Sequence, residues 1–184
     1  FSGKGVFPES HPLWLWPGFG RQAPGFVRRI MESCDCLLAI GCRFGEVTTG
    51  GFGIEPPEAL IHVDIEPEVF NRNFPAALAV RSDAHLFVEA LGSLIDGHRP
   101  WDRLAGDIAR GHQEIDDRWR RKASSEKVTP HFLFEALQRH CREDAVFATD
   151  SGNGTFLAVE HLRLDAPGRF LAPTDFSCMG YSVP

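Results

Sequence analysis

The sequence predicts an α/β fold: a Rossmann-like parallel sheet forming part of one domain, followed by the first β/α units of a second α/β domain. Three observations predict it. Short apolar runs alternate with helical patterns between residues 23 and 95. These runs are continuous rather than alternating, the pattern of parallel strands covered on both faces. The strand and helix patterns resume after residue 128, beyond a charged helical stretch.

The elements follow in order. Residues 1–12 hold Gly3, Gly5, Pro8 and a His-Pro pair, and read as an irregular loop. Trp14-Leu-Trp16 is apolar and is broken by Pro17-Gly-Phe-Gly20. Ala23, Phe26, Val27, Ile30 and Met31 recur at helical spacing, with Pro24 suited to the first turn. Strands are predicted at 36–40, 60–65 and 77–80, ended by Gly41, Glu66-Pro67 and Arg81-Ser-Asp83. A helix over 84–95 puts Leu86, Phe87, Ala90, Leu91 and Leu94 on one stripe.

Asp96-Gly-His-Arg-Pro100 is a break. Trp101, Leu104, Ile108, Ile115 and Trp119 then form one narrow seam among many charges, as in a solvated helix. Thr129 is a good N-cap and Pro130 a good first helical residue. Phe132, Leu133, Ala136, Leu137 and His140 are the expected packed face of that helix. A strand at 144–150, a helix at 154–162 and a strand at 169–173 complete the pattern. The expected domains are 1–96, a helical connector 97–127, and 128–184.

The composition, 43% hydrophobic and 24% charged, is that of an ordinary globular protein. The net charge of -6 and the scattered Lys and Arg speak against a nucleic-acid partner. The longest apolar runs are too short to span a bilayer, and no apolar leader opens the chain, so a cytoplasmic, membrane-free protein is expected. No Met starts it, and the expectation is a fragment of a longer polypeptide. The five cysteines, an odd number without zinc spacing, read as buried or half-buried free thiols in a reducing compartment. The eight histidines lack metal spacing, and His131, His140 and His161 read as surface or packing residues on helices.

Four segments are candidate sites. Gly41 and Arg43 follow a predicted strand, where an open parallel sheet receives ligands and an Arg fork can meet a phosphate. The same residues also read as a plain strand-end turn. His62-Val-Asp64-Ile-Glu66 could offer a carboxylate to a ribose, or cap the next helix. Asp150-Ser-Gly-Asn-Gly-Thr155, with Ser151, Gly152, Asn153 and Gly154 at its centre, lies between a strand and a helix, where unpaired N–H groups and the helix dipole suit a phosphate. A capping turn would use the same residues. Finally, residues 174–184 set Met179 between Cys178 and Gly180, which alone reads as a Met filling a gap.

The order of these segments resembles thiamine-diphosphate (ThDP) enzymes of the acetolactate-synthase type. Gly3-Lys-Gly-Val-Phe-Pro-Glu-Ser-His-Pro12 is similar to a "GKG…P..HP" loop, Leu37-Leu-Ala-Ile-Gly-Cys-Arg-Phe44 to a "GxRF" strand end, and Ile61-His-Val-Asp-Ile-Glu-Pro67 to "hIDiDP". Ser82-Asp-Ala84 matches "gDa", Val146-Phe-Ala-Thr-Asp-Ser-Gly152 resembles "vvtDvG", and Cys178-Met-Gly-Tyr-Ser-Val-Pro184 resembles "tMGfglP".

The resemblance implies the following. The parent protein would decarboxylate a pyruvate-like 2-oxo acid and transfer the resulting carbanion to a carbonyl acceptor, as a homodimer or homotetramer. Ser151 to Gly154 would approach the ThDP diphosphate. Met179 would be the apolar wedge that bends the cofactor, and the Ser177 carbonyl and Met179 N–H would hold its aminopyrimidine, beside Cys178. Arg43 matches a position that contacts FAD in relatives that bind it, but Trp16-Pro-Gly-Phe-Gly20 departs from the usual flavin residues. The family's catalytic Glu and its Mg²⁺ motif have no counterpart in the chain, so the chain alone is expected to be inactive and to hold no metal. Two alternatives stay open: a decarboxylase or lyase of the same family that releases an aldehyde, and a non-catalytic module binding FAD, ADP or NAD.

Overall fold

The computed structural model describes residues 3–97, 100–173 and 176–183. The chain forms two compact units, Gly18–Trp101 and Phe1–Pro17 together with Asp102–Pro184. Residues 3–17 and the helical stretch Asp102–Arg120 thus group with the second of these units.

In the unit Gly18–Trp101, helix α1 (Gly25–Glu32) buries Phe26 and Val27, and Pro24 occupies its N-cap position. Strands β1 (Cys36–Ile40), β2 (Ala59–Asp64) and β3 (Leu78–Arg81) form a parallel sheet with β2 in the middle. The register pairs Ile40 with Val63 and Asp64 with Arg81. Parallel pairing therefore brings Gly41, Asp64 and Arg81 together at the carboxyl ends of the strands, with Gly41 N–H donating to Val63 O at 2.8 Å and Ser82 N–H to Asp64 O at 3.1 Å. Helix α2 (Ala84–Leu94) is capped by the Asp83 carboxylate, which accepts from the His85 and Leu86 N–H groups. Ala39, Phe44 and Leu60 form the core, with Leu37, Cys42, Ile54, Phe74 and Ala76 around it.

The expected two-sided cover is realised on β2 alone. Most of β2 is buried, whereas β1 and β3 leave Leu38 and Leu78 exposed. In a three-stranded sheet only the middle strand has neighbours on both sides. The α2 stripe is likewise uncovered: Phe87 and Leu91 are half-buried, while Leu86, Ala90 and Leu94 are exposed.

The other unit contains helix α3 (Asp102–Arg120), whose buried residues Ile108, Gly111 and Ile115 include two of the expected seam. Helix α4 (Pro130–His140) starts with Pro130 as expected, but Thr129 makes no side-chain cap, and its buried hydroxyl has no partner. The face of α4 is also turned. Phe132, Leu133, Ala136 and His140 are exposed, and Phe134 packs instead, its ring stacked on His161 at 5.8 Å. The consecutive apolar residues 132–134 let either face be read from the sequence, and packing against helix α5 (Asn153–His161) selects Phe134. The flanking strands shrink to β4 (Phe147–Ala148) and β5 (Phe170–Leu171), because the parallel ladder holds only two residue pairs. Ala158, Val159, Leu162, Leu164 and Phe170 form the core here.

Residues 3–17 dock on this unit through a buried ion pair that the sequence reading missed. Lys4 Nζ contacts Glu9 Oε2 at 2.7 Å, and both side chains are 2% exposed. Lys4 also donates to Val159 O and Leu162 O, while Glu9 accepts the Leu164 N–H. Burial pulls the Lys4 ammonium below its ordinary range, and the Glu9 carboxylate opposes this. Arg163 lies over Trp14 at 4.5 Å and Trp16 at 5.6 Å, a cation–π arrangement that His112 extends by stacking on both rings.

His161 sits 4.1 Å from the Trp119 ring, and burial, aided by His131 and Arg163, pulls its pKa from 6.5 to about 4. The native ring is thus neutral at pH values where the unfolded ring is charged. The stability it contributes is complete above pH 6.5 and is lost as the pH falls towards about 4. Discounting for the ring's partial exposure, a loss of about 1–2 kcal/mol is expected across that window. Thermal melts against pH check this: His161→Phe should flatten the slope, and an unchanged slope would assign it elsewhere.

Candidate functional site

The candidate site lies where β4 runs into α5. Gly152, at φ +129°, turns the chain into the helix and provides no side-chain cap. The first-turn residues Asn153 and Gly154 are exposed. A Cβ added at Gly152 or Gly154 would meet nothing within 4 Å, so packing within the chain does not require either glycine. What remains is an exposed helix N-terminus without a side-chain cap, a place that suits an anionic ligand.

The second segment runs beside the first. Ser151 N–H donates to Cys178 O at 3.3 Å, so the turn and the Met179 segment meet through backbone. Asp150 adds side-chain bonds: its carboxylate accepts from Gly180 N–H, Ser182 N–H and Ser182 Oγ, each at 2.7 Å. These donors, Ser182 N–H first, hold the Asp150 carboxyl below the usual carboxylate range. Thr155 Oγ1 bonds back to Asp150 O and Thr149 Oγ1, fixing the helix start. Ser177 adopts φ +48°, in the left-handed region, and donates its N–H to Pro173 O at 2.8 Å.

Met179 is 85% exposed and Phe176 is 92% exposed. The gap-filling reading of Met179 is therefore corrected: its side chain is exposed and fills no gap among the described residues. The structure brings Ser151, Gly152, Asn153 and Gly154 next to Ser177, Cys178 and Met179. Thr174, Asp175 and Pro184, also within the sequence candidate, lie outside the described residues.

Gly41 and Arg43 belong to the other unit. Both are exposed, and Gly41 has φ +59° with open space where a Cβ would stand. Asn73 Nδ2 donates to the Arg43 and Phe44 carbonyls and fixes that loop. His62 and Asp64 are committed to local structure. His62 bonds to Cys42 O at 2.8 Å between Phe44 and Phe70, and Asp64 accepts the Glu66 N–H. All five cysteines are free, but Cys36, Cys141 and Cys178 are exposed, a correction to the expected burial. Among the described residues no group of His, Cys, Asp or Glu could hold a metal ion, and no helix is long and apolar enough to cross a membrane.

The comparison with known families bears on this arrangement. Residues 1–91 match the model of the thiamine pyrophosphate enzyme central domain. Nearly the whole chain, 99%, is similar to acetolactate synthases. It is 24% identical to acetolactate synthase 1, chloroplastic, of Zea mays, covering 29% of that protein. It is 27% identical to the acetolactate synthase isozyme 3 large subunit of Escherichia coli, covering 32%. It is 28% identical to a probable acetolactate synthase large subunit of Methanocaldococcus jannaschii, again covering 32%. The chain thus spans about a third of the length of these relatives.

The family whose model matches residues 1–91 is named for thiamine pyrophosphate, and the turn at 151–154 with the Met179 segment fits the diphosphate end of such a cofactor. Gly152 and Gly154 leave room over an uncapped helix terminus, and the exposed Met179 stands in the segment bonded to that turn. Asp150 stood in the candidate segment Asp150–Thr155, but its bonds to the Met179 segment were not foreseen. A strand-end Asp followed by Ser-Gly reads as a local cap, and its bonds reach 30 and 32 residues along the chain.

Proposed function

We propose that this chain is part of a longer ThDP-dependent enzyme that decarboxylates a pyruvate-like 2-oxo acid and joins the remainder to a carbonyl acceptor, as acetolactate synthase does. The observation that carries the proposal is the meeting of the Ser151–Gly154 turn with the Met179 segment, in a chain similar to acetolactate synthases over 99% of its length. Ser151 to Gly154 would hold the diphosphate by backbone N–H groups at the start of α5. Met179 would press its apolar side chain against the cofactor, while the Ser177 carbonyl, the Met179 N–H and Cys178 line the aminopyrimidine. When bound, ThDP supplies the electron sink that decarboxylation needs, and the protein orients it and excludes water.

Mg²⁺ belongs to the proposal as a diphosphate partner held by residues outside this chain. Gly41 and Arg43 are the candidate nucleotide contact, for FAD or ADP, supported by their exposure at the ligand edge of β1. The five free thiols suit a reducing compartment, and a cytoplasmic homodimer or homotetramer is the proposed form. The division 1–96, 97–127 and 128–184 is kept as the proposed order of domains.

The full-length protein, incubated with ThDP, Mg²⁺ and pyruvate, is expected to release CO₂ and form acetolactate together. CO₂ without acetolactate would favour the simple decarboxylase or lyase. FAD, ADP or NAD binding without ThDP binding would favour the non-catalytic module. The 184-residue chain alone is expected to be inactive, and tight Mg²⁺-dependent ThDP binding by it would overturn that part.

A further inference from the structure

We infer that Asp150 is the positioning residue of this site: its carboxylate anchors the Met179 segment to the turn that starts α5. The inference rests on the proposed ThDP reading and adds a residue that does not itself touch the cofactor.

The argument begins with what fails to hold the segment. Its large apolar side chains, Phe176 and Met179, are almost fully exposed, so burial does not fix its path. Ser177, in the left-handed region at φ +48°, works against it, since a non-glycine residue is disfavoured there. Opposing these are bonds to one side chain. Asp150 Oδ2 takes the Gly180 N–H, and Oδ1 takes both the N–H and the hydroxyl of Ser182. Bonds to an ionised acceptor are the strong kind. The backbone adds the longer Ser151 N–H to Cys178 O bond at 3.3 Å. Asp150 thus spans the residue between its two bonding partners and grips the chain just beyond Met179. A wedge that must press on a ligand has to be held before the ligand arrives, and here a carboxylate holds it instead of a core.

Asp150→Asn tests this in the full-length protein. The amide keeps the shape but turns an N–H₂ towards one of the donors. The apparent Kd for ThDP, titrated in the presence of Mg²⁺, should rise roughly tenfold to a hundredfold. At saturating ThDP kcat should largely recover, and the melting temperature of the cofactor-free protein should stay near that of the unmutated protein. Chymotrypsin should cut faster at Phe176 or Tyr181, a measurement that needs no cofactor. Ser182→Ala removes one donor and should weaken ThDP binding severalfold, so it carries the test if Asp150→Asn does not fold. Unchanged ThDP affinity and unchanged cleavage would overturn the anchor. If the unmutated protein fails to bind ThDP, the proposed function falls, while the cleavage rates still decide whether Asp150 holds the segment.

Discussion

Replacing Lys4 by Ala is expected to lower stability by about 3–5 kcal/mol, the usual loss when one partner of a buried ion pair is removed. Both side chains are 2% exposed, so Glu9 would stay buried without its ammonium. The Val159 and Leu162 carbonyls at the end of α5 would lose their donor as well. Arg163, whose charge reaches Glu9, is held over Trp14 and offsets only part of this. Because α5 begins at the candidate site, the same change should weaken ThDP binding by the full-length protein. Lys4→Met combined with Glu9→Gln should lose less than Lys4→Ala alone, since no unpaired charge remains and Gln can still accept the Leu164 N–H. Denaturant titrations of the three proteins check this. Equal losses for the single and double variants would mean that shape, not charge, fixes residues 3–17.

Gly20→Ala is expected to destabilise the unit Gly18–Trp101 by about 2–5 kcal/mol, adding the left-handed backbone penalty to an overpacking term. Gly20 has φ +99°, and a Cβ there would stand 2.3 Å from Thr49 O. That oxygen cannot yield easily. Thr49 N–H is bonded to Gly45 O, its hydroxyl bonds to the same carbonyl, and Thr49 O accepts from Gly53 N–H. Gly20 also borders a cavity of about 210 Å³ lined by Phe19, Arg21, Val27 and Met31. The displaced backbone would therefore change a cavity wall. Gly41→Ala is the control: its φ is +59° with open space beyond, so only the backbone penalty of about 1–2 kcal/mol applies. Equal melting temperatures for the two variants would show that the close approach to Thr49 carries no energy.

The strands at 36–40, 60–65 and 77–80 were legible in the sequence because continuous apolar runs ended by turn residues have few other uses. The order of short motifs from Gly3 to Pro184 was legible only as a resemblance to a known family. Local signals also gave Ser151 to Gly154 as a candidate, whereas Met179 became one only through the resemblance. The packed face of α4 was not legible, since residues 132–134 are all apolar and periodicity cannot rank them. The cover of β1, β3 and α2 was not legible either, because an apolar run records what a strand can bury and not what lies against it.

By itself, then, the sequence determined the α/β pattern, the parallel strands and the residue types at the candidate site, all of which follow from periodicity and backbone preference over a few neighbours. Only the tertiary structure decided that Lys4 and Glu9 are buried, that Met179 is exposed, and that Asp150 grips Gly180 and Ser182. Burial and hydrogen bonding across 30 to 158 residues depend on which segments meet in space, and no local spacing encodes that meeting.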